Sequence, residues 1–507
     1  MTRGQDRPLR RRGAALGRGV VLGVVALVGC GPSPKGASSM PLALSTGAFH
    51  DAALFADGRL VAAGHTGIDG SRNLAVVGFD DAGSPRWLAE EAIDPAVDAR
   101  AEAVEVDGAE RVVAIGNVLA AHSSRGVVVA FDADGRKLWE VEPWREGSAE
   151  VYGLAVAGED AYVTGFARVG PDEPGAGPPP QQGVLVARID TASGALQWRD
   201  VAQLTLDPLR MSAGLGIALD GQGAVGVAGV VGFPDSSVAW FVGAWSVDGA
   251  ARWEELRDGG AGIGGGALET GQIDVARELA FDRSGNLYVV GELSSEDRPG
   301  TDLSLLALDA DGGVRWTFRR DEVIPAGLTS FDEGHALAMG TDGPCVAGGV
   351  ARALDDDLIS EGLAASLDFD GAVRWVEPLS SPSLAGEEVT DLAADDDGAV
   401  VYGGADSNGP GGEMLVVEQV DRGGAPIWTS HLGADAGATT AGRVERIVVG
   451  REGDVFAVGF DREHHGVPSE PFAVRLERAT GETSWVYPPG LGTRLTSHRG
   501  GAADVRP

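Results

Sequence analysis

From residue 47 almost to its end, the chain alternates short apolar runs with tight turns rich in Asp and Gly. The stretch 303–316, Leu-Ser-Leu-Leu-Ala-Leu-Asp-Ala-Asp-Gly-Gly-Val-Arg-Trp, shows the unit: an apolar run, an acidic-glycine turn, and a second short run closing on Trp316. Runs of this kind on either side of an Asp/Gly turn predict a β-hairpin. Stretches 74–83, 127–135, 362–371 and 414–423 open further copies. A second hairpin lies upstream in each repeat, as at 52–64, 279–291 and 389–404. Its second strand is expected to end on glycine, at Gly64, Gly116, Gly165, Gly229, Gly291, Gly349, Gly404 and Gly459. Each repeat therefore reads as four strands, A to D, of about five residues each.

The closing tryptophan recurs at Trp87, Trp139, Trp198, Trp253, Trp316, Trp375, Trp428 and Trp485, at intervals of 52 to 63 residues. Only Trp144, Trp240 and Trp245 fall outside the series. Eight four-stranded units on one period predict an all-β fold, an eight-bladed β-propeller of four-stranded antiparallel blades spanning 47–489. Such regular repetition assigns the eight tryptophans to packing between blades. Strands that alternate in direction put the short A–B and C–D turns on one face of the ring. The long segments, 65–72, 167–182, 292–302 and 461–470 between B and C, and 254–272 and 317–334 between blades, then lie on the other face. Loops on a rigid scaffold are where binding concentrates, so the long-loop face is expected to be the working face.

Composition agrees with a turn-rich repeat protein: the 78 glycines are about twice the usual share. A formal net charge of −35 argues against nucleic acid as partner, because phosphates need a basic footprint.

The first residues change the picture. Arg3, Arg7, Arg10, Arg11, Arg12 and Arg18 precede an apolar stretch, 19–29, too short to span a bilayer. This is a signal-peptide layout. The stretch closes on Leu27-Val28-Gly29-Cys30, which resembles the lipobox of bacterial lipoproteins. The resemblance implies a signal peptide over 1–29, cleavage before Cys30 and lipidation of Cys30, with 30–46 as a flexible tether. Losing the six arginines and one aspartate of the leader takes the formal charge from −35 to −40. Gly31 rather than Asp after the cysteine implies the outer membrane. Residues 490–507 are expected to form a flexible tail.

The units 187–198, Ala-Arg-Ile-Asp-Thr-Ala-Ser-Gly-Ala-Leu-Gln-Trp, and 307–316 resemble the PQQ-like repeat of secreted bacterial propellers. PQQ dehydrogenases as a family place a vicinal disulfide over the cofactor. With Cys30 lipidated, only Cys345 is left, so no such cofactor site is expected. Cys345 falls in an apolar slot at the start of a B strand and reads as an inert buried thiol.

No catalytic, cofactor or metal residues are assigned. Asp132/Asp134, Asp309/Asp311 and Asp368/Asp370 resemble the start of a calcium loop but lack its remaining ligands. They occupy hairpin positions where Asp and Gly are favoured. Asp355–Asp357 reads as a solvated run, and His464-His465 as a loop pair. The expectation is a non-enzymatic, membrane-anchored envelope lipoprotein whose propeller binds another envelope or extracellular protein. The alternative is an extracellular ligand-binding or hydrolytic propeller acting on glycan or a cationic substrate. Convergent carboxylates in a central pocket would mark the alternative.

Overall fold

In a computed structural model, the described residues are 46–488, apart from 68–70, 92–97, 121–122, 170–180, 203–211, 234–236, 258–273, 295–299, 321–329, 355–356, 380–386, 396, 410–411, 433–439 and 464–468. Cys30, most of the tether, the tail, Asp355, Asp356, His464-His465 and part of every long segment lie outside them. The described residues form eight antiparallel sheets, each built from consecutive strands. The chain is an eight-bladed β-propeller. Blade 1 runs from strand Gly47–Leu54 to Pro85–Glu91, and blade 8 from Thr440–Val449 to Thr483–Tyr487. Blade 5 carries one addition, a two-residue strand Ser330–Phe331 that pairs in parallel with Gly300–Leu308.

The strands run longer than expected, with seven residues in Leu60–Thr66 and eleven in Pro344–Leu354. The B-strand glycine does not end its strand. It sits opposite a β-bulge that every inner strand carries at the same level, the skipped residues being His50, Glu102, Tyr152, Leu215, Arg277, His335, Thr390 and Glu445. A bulge bends its strand and crowds the partner. At Gly404, for example, a β-carbon would land on the carbonyl oxygen of Glu388. In blade 6 the equivalent residue is Gly348, paired with Gly334, and not Gly349. Two adjacent glycines hid the register there.

The series tryptophans pack between blades. Each lies over the C–D turn glycine of the next blade: Trp87 on Gly135, Trp316 on Gly371, Trp428 on Gly481, and Trp485 of blade 8 back on Gly83 of blade 1. Two demands meet at Gly371: φ of +88°, which side chains disfavour, and an indole where a β-carbon would stand. Most of the indoles also donate N–H to a carbonyl in that turn, Trp87 to Ala133 at 3.0 Å and Trp428 to Arg478 at 2.8 Å.

The ring closes without a shared strand, since blades 1 and 8 are each complete. Phe49, Phe79, Phe456, Trp485 and Tyr487 form one aromatic cluster across the seam. The Gly47 amide donates to the Ser469 carbonyl at 2.7 Å.

The Asp-Gly turns behave as hairpin caps. Asp309 Oδ1 accepts the amides of Asp311 at 3.0 Å and Gly313 at 2.8 Å, and Asp132 and Asp368 do the same in their turns. Cys345 is buried at the start of its strand, and burial pushes its thiol up to about 11.

Candidate functional site: the central channel

An inner strand is an edge strand, and its outer amides need partners other than a fifth strand. Three blades solve this identically. The residue after the bulge is acidic and reaches to the next blade. Asp51 accepts the Val104 amide at 2.8 Å, Glu278 that of Leu337 at 2.7 Å, and Asp391 that of Ile447 at 2.5 Å. The corresponding residue of blade 8 is Arg446, and it draws these three carboxyls together. Its guanidinium lies 3.1 Å from Asp51, 3.5 Å from Asp391 and 3.7 Å from Glu278. One cation thus ties blades 1, 5, 7 and 8 across the axis.

The bulge residues and their successors line a cavity of about 280 Å³ on this axis. Burial pushes Asp391 up to about 7 and also raises Asp51 and Glu278, while Arg446 pulls all three down. Glu105, raised to about 7 by burial and then by Asp51, adds a fourth carboxyl. It stands where the other blades carry Ala53, Ala155, Ala218, Ala280, Ala338, Ala393 and Val448.

Around this centre lies a second set of pairs. Arg277 binds Glu292 at 2.8 Å and Glu333 at 3.0 Å. His335 lies 3.0 Å from Glu388, which Arg443 also approaches at 3.4 Å. Burial raises the Glu388 carboxyl, but the His335 hydrogen bond and Arg443 outweigh it, so its pKa falls. Burial pushes Glu292 up to about 7 despite Arg277. Arg100 holds Glu102 at 2.6 Å, and Tyr152 donates to Glu150 at 2.6 Å. His50 stacks on His65, with ring nitrogens 2.9 Å apart; burial and that neighbour push it down to about 3, so it is neutral at physiological pH.

The wall is lopsided. Blades 3 and 4 contribute Tyr152, Gly153, Leu154, Leu215, Gly216 and Ile217, whereas the remaining blades supply every charge that lines the cavity. Larger clefts of about 530 and 750 Å³ open on the short-turn face, between turns of blades 5 to 7 and of blades 8, 1 and 2. Both are walled largely by the short turns, whereas the channel gathers the residues that differ most from blade to blade.

No protein family and no curated protein matches the sequence. Solved structures share the fold. Sqt1 of Chaetomium thermophilum bound to the N-terminus of the ribosomal protein L10 is 13% identical, with a TM-score of 0.47 over 83% of this chain and 97% of that one. A puromycin hydrolase mutant complexed with PGG is 12% identical, with a TM-score of 0.44 over 84% of this chain and 61% of that one. An outer-coat vertex protein of COPII on membranes is 9% identical, with a TM-score of 0.37 over 83% of this chain and 99% of that one. At such distances, a likeness decides nothing about function.

Sequence reasoning placed function first in the long loops and kept a central pocket of carboxylates as the alternative, without naming its residues. A signal was present. The bulge residue lies fourteen residues before the B-strand glycine in six repeats and thirteen before it in blades 3 and 6. The residue at that position is His, Glu, Tyr, Leu, Arg, His, Thr and Glu in turn, and the next is Asp, Ala, Gly, Gly, Glu, Ala, Asp and Arg, while the one after that is aliphatic in every blade. Among the described residues, no group of three or more His, Cys, Asp or Glu is placed to hold a metal ion.

Proposed function

We propose that this chain is a bacterial envelope lipoprotein, anchored through Cys30, whose propeller is a protein-binding module. The observation that carries the binding half is the asymmetry between the two faces. The short, Asp-capped turns, such as Asp80–Ser84 and Asp309–Gly313, join the outer two strands of a blade, whereas the long segments of the sequence join the middle two strands or one blade to the next. A rigid ring that keeps one face uniform and varies the other fits partner capture. The Leu27–Cys30 lipobox carries the anchoring half, with the outer membrane as its destination. Each buried methylene of an acyl chain contributes roughly 0.8 kcal/mol, so two or more chains hold the protein stably.

The test has two arms. Cys30→Ser should abolish palmitate incorporation and release the protein from the membrane fraction; retained labelling refutes anchoring. Shortening 167–182 together with 461–470 should abolish capture of the native partner from envelope extracts, while trimming the Asp309–Gly313 turn should not. Equal capture by all variants refutes the face assignment.

A second reading, a channel that binds a small ligand, is favoured by the carboxyls gathered on the axis. Its hydrolytic form needs two free carboxyls across the substrate. Asp51, Glu278 and Asp391 are each tied to Arg446 and to a backbone amide, which supports binding over hydrolysis.

A further inference from the structure

The channel is short of positive charge. Once Arg100, Arg277 and Arg443 are assigned to their own partners, four carboxyls, Asp51, Glu105, Glu278 and Asp391, surround the single guanidinium of Arg446. Carboxylates enclosed by protein must be neutralised by a proton or a cation.

Glu105 supplies a second, independent observation. Protein surrounds it on most sides, and it keeps partial exposure at the cavity that it lines. Arg446 acts on it through its field, and among the described residues no ion pair holds its carboxyl. Seven blades carry Ala or Val at this position, so the fold has no need of an acid there. Beside it stands the apolar wall of blades 3 and 4. A metal ion fits such a setting poorly, because three of the four carboxyls are already committed and the facing wall adds no carboxylate.

We propose that the channel binds one compact organic cation, an ammonium or guanidinium on an apolar stem, with Glu105 contacting the charge and the Tyr152–Leu215 wall contacting the stem. A cavity of about 280 Å³ sits at the lower end of the range for small-molecule sites. The same chemistry is available from a free amine or from a Lys or Arg side chain of a partner protein. The proposal stands apart from the protein-binding reading, since the channel and the long segments are changed by different substitutions.

Calorimetry on the full chain at pH 8 tests it. Phenethylamine and a blocked Phe-Arg-Gly tripeptide are the two probes; 2-phenylethanol and calcium chloride are the controls. Phenethylamine should bind at least tenfold more tightly than 2-phenylethanol. Glu105→Gln should lose at least tenfold in affinity, and Glu105→Asp should retain more of it. Binding of the amine alone assigns a free ligand, and binding of the tripeptide alone assigns a partner side chain. Absence of binding by both at millimolar concentration, equal affinity in Glu105→Gln, or calcium displacing the amine each overturns the proposal. Glu105→Gln is to be compared at matched thermal stability, so that misfolding does not pass for lost recognition.

Discussion

Replacing Arg446 with Met tests the axial network most directly. The side chain keeps its length and loses its charge, leaving Asp51, Glu278 and Asp391 to face one another. Removing one partner of a dry buried pair costs about 3–5 kcal/mol. Although protein surrounds Arg446, 37% of its side-chain surface faces the channel space, so screening reduces the expected cost to about 1–3 kcal/mol. The effect has a definite pH dependence. Asp391 is raised from 3.8 to about 7 by burial, and Asp51 and Glu278 are raised by the same cause. The folded state therefore binds these protons more readily than the unfolded chain does. Stability from these groups is highest below about pH 4 and falls as pH rises toward about 7. Without the guanidinium the three values rise further and the fall deepens. Urea denaturation of both proteins at pH 5 and pH 8, followed by tryptophan fluorescence and circular dichroism, measures this. Arg446→Met should be less stable at pH 8 and closer to the parent at pH 5. A loss below about 0.5 kcal/mol at pH 8, or an equal loss at both pH values, refutes the network as described.

Three further outcomes follow from the packing and the thiol. Trp428→Ala removes an indole that is 7% exposed together with its bond to the Arg478 carbonyl, and should cost about 3–5 kcal/mol in denaturation; half-buried Trp316→Ala should cost less. Gly404→Ala, which drives a methyl into the Glu388 carbonyl, should cost about 1–3 kcal/mol or more. Gly58→Ala, with φ of +88° but open space around it, should cost only about 1 kcal/mol, and equal midpoints for the two would contradict the bulge argument. In a Cys30→Ser background, Cys345, whose thiol burial pushes to about 11, should resist a disulfide reagent at pH 8 until the protein unfolds; rapid native labelling would show the thiol is accessible.

Strand count, blade count and the role of the tryptophans were legible in the chain because they repeat. A fold of eight like units must state its turn and packing residues eight times, and a period shows without any knowledge of what lies beside what. Trp316 and Gly371 belong to different repeats, yet each recurs at its own place. The site was not legible for the opposite reason. His50, Tyr152, Arg277 and Glu445 share a position but no chemistry, so no period marks them. Asp51, Glu278, Asp391 and Arg446 stand up to 395 residues apart and meet only because the ring closes.

The sequence by itself determined the propeller and its turns, since each is written in local pattern. Only the tertiary structure decided that the B-strand glycine answers a bulge rather than a turn. It alone showed that Gly348 fills that place in blade 6, that blades 1 and 8 meet through aromatic side chains, and that four carboxyls crowd one arginine on the axis. The physical reason is common to these cases. A bulge, a seam and a desolvated charge cluster are relations between strands distant in sequence, and their energies exist only once those strands are side by side.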